Sequence, residues 1–263
     1  MSAVIAAPAQ ATPRQRGTSF WFRALALMVE WNLTRMRLVL PGLVLVQVFT
    51  SIGLVLGLSL LYEDISPQQA LYLGTGAVAI SVVMVGVVTG PQLIAEQRLS
   101  GSADWLASLP VPRSASTAAA TVFNVIVAIP GVAAALLAAW LRLDVGLSIN
   151  PLLVPGVLVA LVSGSLIGYA YAHLLSDAKI VALVAQVLVF IVFGFSPVAY
   201  PRENLPGWLA TAHTFLPFVH MADVIRAGLT NGLVDNVALS YLVLAAWTIV
   251  AATAVTWALG RRS

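Results

Sequence analysis

GPQLIAEQRLSGSADWLASLPVPR, residues Gly90 to Arg113, carries Glu96, Arg98, Asp104 and Arg113 between two long apolar stretches. A connection inside a compact structure usually takes about 4–6 residues, and this strip is several times longer. Leu93, Ile94, Leu99, Trp105, Leu106 and Leu109 supply an apolar face, while Glu96, Gln97, Arg98, Ser100, Ser102 and Asp104 supply a polar one. Residues 92–109 therefore read as a short helical element, bent at Gly101 and ended by Pro110-Val111-Pro112. Such an element can pack on its own bilayer with one face and dock a water-soluble partner with the other. A solvated loop is the alternative, and the length argues against it.

The sequence around the strip defines the class. Hydrophobic residues make up 60% and charged residues 9% of the 263 positions, where soluble domains carry about 25% charge. Mean hydropathy is +0.97. These values predict an all-α integral membrane protein. A bilayer core of about 30 Å needs about 20 apolar residues per helix, and six segments qualify: Leu38–Tyr62, Gln69–Gly90, Ala115–Leu141, Asn150–Leu175, Ile180–Ala199 and Val237–Leu259. Residues 38–263 thus form a six-span transmembrane domain. Residues 1–17 read as a disordered cytoplasmic tail, since Arg14 and Arg16 follow the small residues and no signal-peptide core comes after them.

Between tail and spans, residues 18–37 have helical period. Arg23, Glu30, Thr34 and Arg37 fall on one stripe, and Trp21, Phe22, Leu25, Met28, Val29, Leu33 and Met36 fall opposite. This predicts an amphipathic helix lying in the membrane interface. With six spans both termini share a side. That side collects ten of the thirteen basic residues, and Arg142, Arg202 and Arg226 take the other. The bias predicts cytoplasmic termini and a cytoplasmic strip. The near-absence of Lys suggests a bacterial source, hence the bacterial inner membrane.

Several function classes are disfavoured. Cysteine is absent, which excludes disulfides and thiol chemistry. No phosphate-binding loop occurs, and no Ser-His-Asp set is supported. The spans hold no Asp, Glu, Lys or Arg away from their ends, which argues against an ion-coupled carrier and a membrane-embedded enzyme alike. His213 and His220 lie seven apart, near one helical face, with Asp223 the only near third ligand, so no metal site is expected. His173 reads as an interfacial, hydrogen-bonded residue. Asp223 and Arg226, three apart, are expected to pair. Gln47, Thr50, Asn124 and Gln186 either line a lateral cavity or bond to neighbouring helices. Work must then come from another protein through the inner-facing elements.

Residues 200–230 are mixed. Pro201, Pro206 and Pro217 forbid a single helix, so the segment is an external loop or a helical hairpin that re-enters the membrane against protein. Phe215, Leu216, Phe218, Val219 and Met221 make it too apolar for a free loop and favour the hairpin.

The pattern Glu96-x-x-x-x-Gly101-Ser102-x-x-x-Leu106-x-x-Leu109-Pro110 resembles the cytoplasmic loop of type-2 ABC exporter permeases, with Ser102 where Thr is usual. Pro201, Leu205-Pro206, Trp208, Leu209, Pro217, His220, Asp223 and Arg226 are similar to that family's segment between its fifth and sixth spans. The drug-exporting, daunorubicin-type subgroup is the one resembled. The resemblance implies that Glu96, Gln97, Arg98, Gly101, Ser102, Asp104, Leu106 and Leu109 form a coupling helix seated on a cytosolic ABC ATPase pair. It implies a second permease subunit, identical or paralogous. It also implies a non-catalytic chain with no cofactor of its own, ATP and Mg being bound by the ATPase. The cargo would be a lipophilic drug or lipid-like molecule, or a polysaccharide or glycolipid in relatives that share the architecture. Membrane lipids are expected partners, and nucleic acid is not.

Overall fold

A computed structural model describes residues 17–60, 65–143 and 146–261, with backbone alone at Asp104 and Ala107. The tail expected at 1–17 therefore falls outside the described residues except for Gly17. Helix α1 spans Thr18–Met36, α2 Leu40–Leu60, α3 Pro67–Val83, α4 Gly90–Leu99, α5 Ser102–Ser108 and α6 Arg113–Leu143. They are followed by α7 Leu153–Leu174, α8 Ala178–Phe190, α9 Gly207–His213, α10 Pro217–Leu229 and α11 Val237–Gly260. There is no strand among the described residues, and six helical stretches among them are long and apolar enough to cross a membrane.

Local signals explain where the helices begin. Ser66 caps α3 in a reciprocal box, accepting from Gln69 N at 3.3 Å while Ser66 N donates to Gln69 Oε1 at 3.1 Å, and Pro67 opens the helix. Asp177 accepts from Lys179 N at 2.7 Å to start α8, and Asn236 accepts from Leu239 N at 2.9 Å to start α11.

The second span differs from the sequence expectation. It continues beyond Gly90 as one stretch, Pro67–Leu99, with a π-helical segment at Met84–Thr89 joining α3 to α4. Pro91 is the cause. It lacks the N–H that the Val87 carbonyl, four residues back, would accept, and its ring crowds that carbonyl. The wider turn relieves the crowding, and the Tyr171 hydroxyl donates to Val87 O at 2.6 Å. A second π-helical segment, Ile191–Phe195, precedes Pro197 at the end of the fifth span. Tyr171→Phe leaves the Val87 carbonyl without its donor. The expected loss is about 1–3 kcal/mol, the cost of an unsatisfied buried acceptor, read as a lower thermal midpoint of the detergent-solubilised chain.

This second span is the hub of the bundle. Its best apolar window is 89% buried, against 22% for α2, for the fifth span and for α11. Around it α2 packs on α6, α11 on α7, and α10 on both α3 and α7. Glycine brings the second and fourth spans together: a Cβ on Gly86 would lie 2.9 Å from the Gly164 backbone. Polar bonds tie other pairs, with Gln47 Nε2 donating to Ser81 O at 3.2 Å and Ser51 Oγ 2.7 Å from Ser81 Oγ. Ser163 and Thr248 hydroxyls meet at 2.7 Å. Thus Gln47 bonds to a neighbouring helix, whereas Thr50 and Gln186 are exposed on α2 and α8.

Candidate functional site

One end of the bundle gathers α1, α4, α5, the start of α6 and the ends of α7 and α11. The element expected at 92–109 is broken at Gly101 into two helices. Residues 92–99 extend the second span, and Gly101, at φ 70°, starts α5. That left-handed conformation is open to glycine and costly for most other residues. α1 holds α5 from the side. Trp31 stacks on Trp105 at 5.9 Å between ring centroids, and Arg35 donates to Ser102 Oγ at 2.9 Å. The Arg35 guanidinium also lies 5.1 Å from the Trp31 ring. Arg98 anchors α4 to the end of α7, donating to Leu175 O at 2.7 Å. Its Nη2 lies 3.5 Å from His173 Nδ1, so His173 is hydrogen-bonded, in keeping with its sequence reading.

Burial sorts the sequence-predicted residues. Glu96 and Gly101 are exposed, while Gln97, Arg98, Ser102, Leu106 and Leu109 are half-buried. The side chain of Asp104 lies outside the described residues. Leu99, at 72%, and Trp105, at 52%, are exposed. On α1, Arg23, Glu30 and Arg37 share the exposed stripe, and Ala24, Met28 and Met36 are buried, with α1 packed on α6. Phe22, placed on the apolar face by periodicity, is exposed. Periodicity did not find Arg35 and Trp31 as the grip on α5, because that contact joins residues far apart in sequence.

The other end carries residues 200–230. Each proline opens a piece: Pro201 precedes a single 3-10 turn at Arg202–Asn204, Pro206 precedes α9, and Pro217 is the first residue of α10. Arg226, 2% exposed, makes the expected pair with Asp223 at 2.9 Å and reaches further. Its Nε donates to Thr75 Oγ1 at 3.1 Å and its Nη2 to Val198 O at 2.6 Å, with the Tyr72 ring 4.4 Å away. His220 bonds to Thr214 O at 2.9 Å and to Ser240 Oγ at 3.0 Å.

The histidines do not share a helical face, contrary to the sequence reading. His213 ends α9 and His220 lies in α10, because Pro217 restarts the helix between them. His213 Nε2 donates to Phe195 O at 3.0 Å. Burial lowers the His213 pKa from its ordinary value, with the Phe195 carbonyl opposing and Arg202 adding to the shift. No cluster of metal-ligating residues occurs among the described residues.

Six apolar spans among the described residues, the second deeply buried among the other five, with a braced polar layer at one end, define a multi-pass membrane protein. A family model described as ABC-2 type transporter matches residues 23–230, from α1 to the end of α10 region. The chain belongs to the ABC-2 type transporter family and is a transmembrane permease of an ABC transporter. Membership implies partnership with an ABC ATPase, and membrane subunits of this kind are generally non-catalytic. No curated protein matches the chain significantly.

Proposed function

We propose that this chain is the membrane half of an ATP-driven exporter that moves a lipophilic drug or lipid-like molecule out of a bacterial cytoplasm. Two such subunits face each other in the inner membrane with both termini inside, and a pair of cytosolic ATPases docks beneath them. The observation that carries this reading is mechanical. Glu96 and Leu99, three apart on α4, make an exposed patch, Trp105 is exposed on α5, and α4 is the continuation of the most buried span. A push on that patch is therefore delivered to the centre of the bundle, while the Trp31–Trp105 stack makes α1 follow α5. The π-helical segment at Met84–Thr89 supplies a point where α4 can swing against α3.

In this reading α1 lies in the interface with Arg23, Glu30 and Arg37 toward water. The segment 200–230 re-enters the bilayer from outside, its return helix α10 being almost wholly buried. ATP and Mg belong to the ATPase. The test is reconstitution of the chain in liposomes with and without its ATPase. Outward movement of a lipophilic dye that needs ATP and the ATPase is the expected result. Transport by the chain alone, driven by an ion gradient and indifferent to ATP, would reject the reading.

A further inference from the structure

A cavity of about 310 Å³ opens between α1 and the ends of the spans. Its walls come from α1, α4, α5, α6, α7 and α11. Protein interiors hold few voids larger than a water molecule, and ligand sites begin at about 300 Å³.

The lining is graded along α6. Arg113 stands at the mouth and Asn124 at the floor, about 16 Å apart at 1.5 Å per residue. Gln97, Ser116 and Thr117 add polar groups to the lining, and Met28, Leu93 and, beside Asn124, Phe123 add apolar ones. The floor needs no polar ligand, because Asn124 Nδ2 already donates to Ser165 Oγ at 3.0 Å and Tyr169 Oη at 2.9 Å. At the mouth the balance differs. Arg113 Nη1 donates to the Leu259 carbonyl, a neutral partner for a cation with five donors. Arg98 is also in the lining and adds positive charge.

A pocket with apolar walls and two arginines in its lining suits one ligand shape. We propose that this cavity binds a single amphiphile with an anionic phosphate head, head at Arg113 and chain toward Phe123. Guanidinium forks match phosphate oxygens in geometry and charge. The mouth also lies level with the ends of the second, third and sixth spans, where bilayer headgroups lie. An occupant wedged there braces the α1–α5 grip against α6 and α7. That consequence rests on the exporter reading, whereas binding itself does not.

The experiment uses the purified full-length chain in neutral detergent, without an ATPase. Trp31 lines the cavity, and its signal is isolated as the difference between the native chain and Trp31→Phe. Brominated-chain phosphatidylglycerol is expected to quench that signal at about tenfold lower concentration than brominated phosphatidylcholine, the worth of one charge-assisted hydrogen bond. Arg113→Gln, an exposed position, should erase the preference, and Ala120→Phe should abolish saturable quenching by filling the bore. Inorganic phosphate should not compete. Competition by dodecyl phosphate without any effect of phosphatidylglycerol assigns the same chemistry to a free amphiphile instead of a bilayer lipid. Equal quenching by the two brominated lipids with no competition by dodecyl phosphate, or a preference that survives Arg113→Gln, overturns the proposal.

Discussion

Arg226→Met should destabilise the detergent-solubilised chain by about 3–5 kcal/mol, the usual cost of breaking a buried ion pair by removing one partner. The guanidinium is held on every side: Asp223 Oδ1 at 2.9 Å, Thr75 Oγ1 at 3.1 Å and Val198 O at 2.6 Å, with the Tyr72 ring beneath. Those partners belong to α10, α3 and the segment after the fifth span, so one side chain joins three parts of the fold. Methionine has a flexible apolar chain that fills much of the volume and donates nothing. It strands the Asp223 carboxylate, only 20% exposed, whose next partner is Ser240 at 3.5 Å. It also leaves Val198 O and Thr75 Oγ1 without their donor.

The double variant Asp223→Asn, Arg226→Met separates the two causes. Removing the stranded charge should recover part of the loss, because the two positions share one network and their effects do not add. Thermal unfolding of native, single and double variants makes the comparison. A single-variant loss below about 1 kcal/mol, the worth of a surface pair, would show that this network does not hold α10 in place.

The sequence made the spans and the charge of this network legible, and geometry explains why it stopped there. Hydropathy finds a 20-residue apolar run whatever it packs against, so all six spans were visible. The pair Asp223–Arg226 was visible because a helix brings residues three apart together. Thr75, 151 positions from Arg226, gave no local sign. The second span was ended near Gly90, where the apolar run meets the charged strip. The π-helical segment before Pro91, with Tyr171 supplying the missing donor, let the helix run on into α4. Pro217 acted in the other direction and separated His213 from His220. Asn124 was read as lining a cavity or bonding to neighbouring helices, and it does both; the cavity's other walls were illegible, because they come from six helix surfaces far apart in sequence.

Gly101→Val should reduce ATP-driven transport by more than about tenfold while leaving the amount of chain in the membrane near the native level. Gly101 adopts φ 70° with open space around it, so the obstacle to a side chain there is backbone conformation and not crowding. A β-branched residue in the left-handed region is a clear outlier, and the cost is about 1–2 kcal/mol. The strain is small against the stability of the six-span bundle, so the spans should still assemble. It is large against the direction of α5, a helix of seven residues whose described side-chain ties are the stack on Trp31 and the Ser100 and Ser102 hydroxyl bonds. Turning α5 moves Trp105 away from Trp31. Gly101→Asn is the control, since Asn visits the left-handed region far more readily than valine. It should keep most of the transport. The readouts are ATPase stimulation by the permease and dye export in liposomes, each normalised to inserted chain. If Val and Asn lose transport equally, backbone conformation at Gly101 is not what aims α5. If Val loses insertion as much as transport, the bend serves assembly of the bundle and not contact with the ATPase.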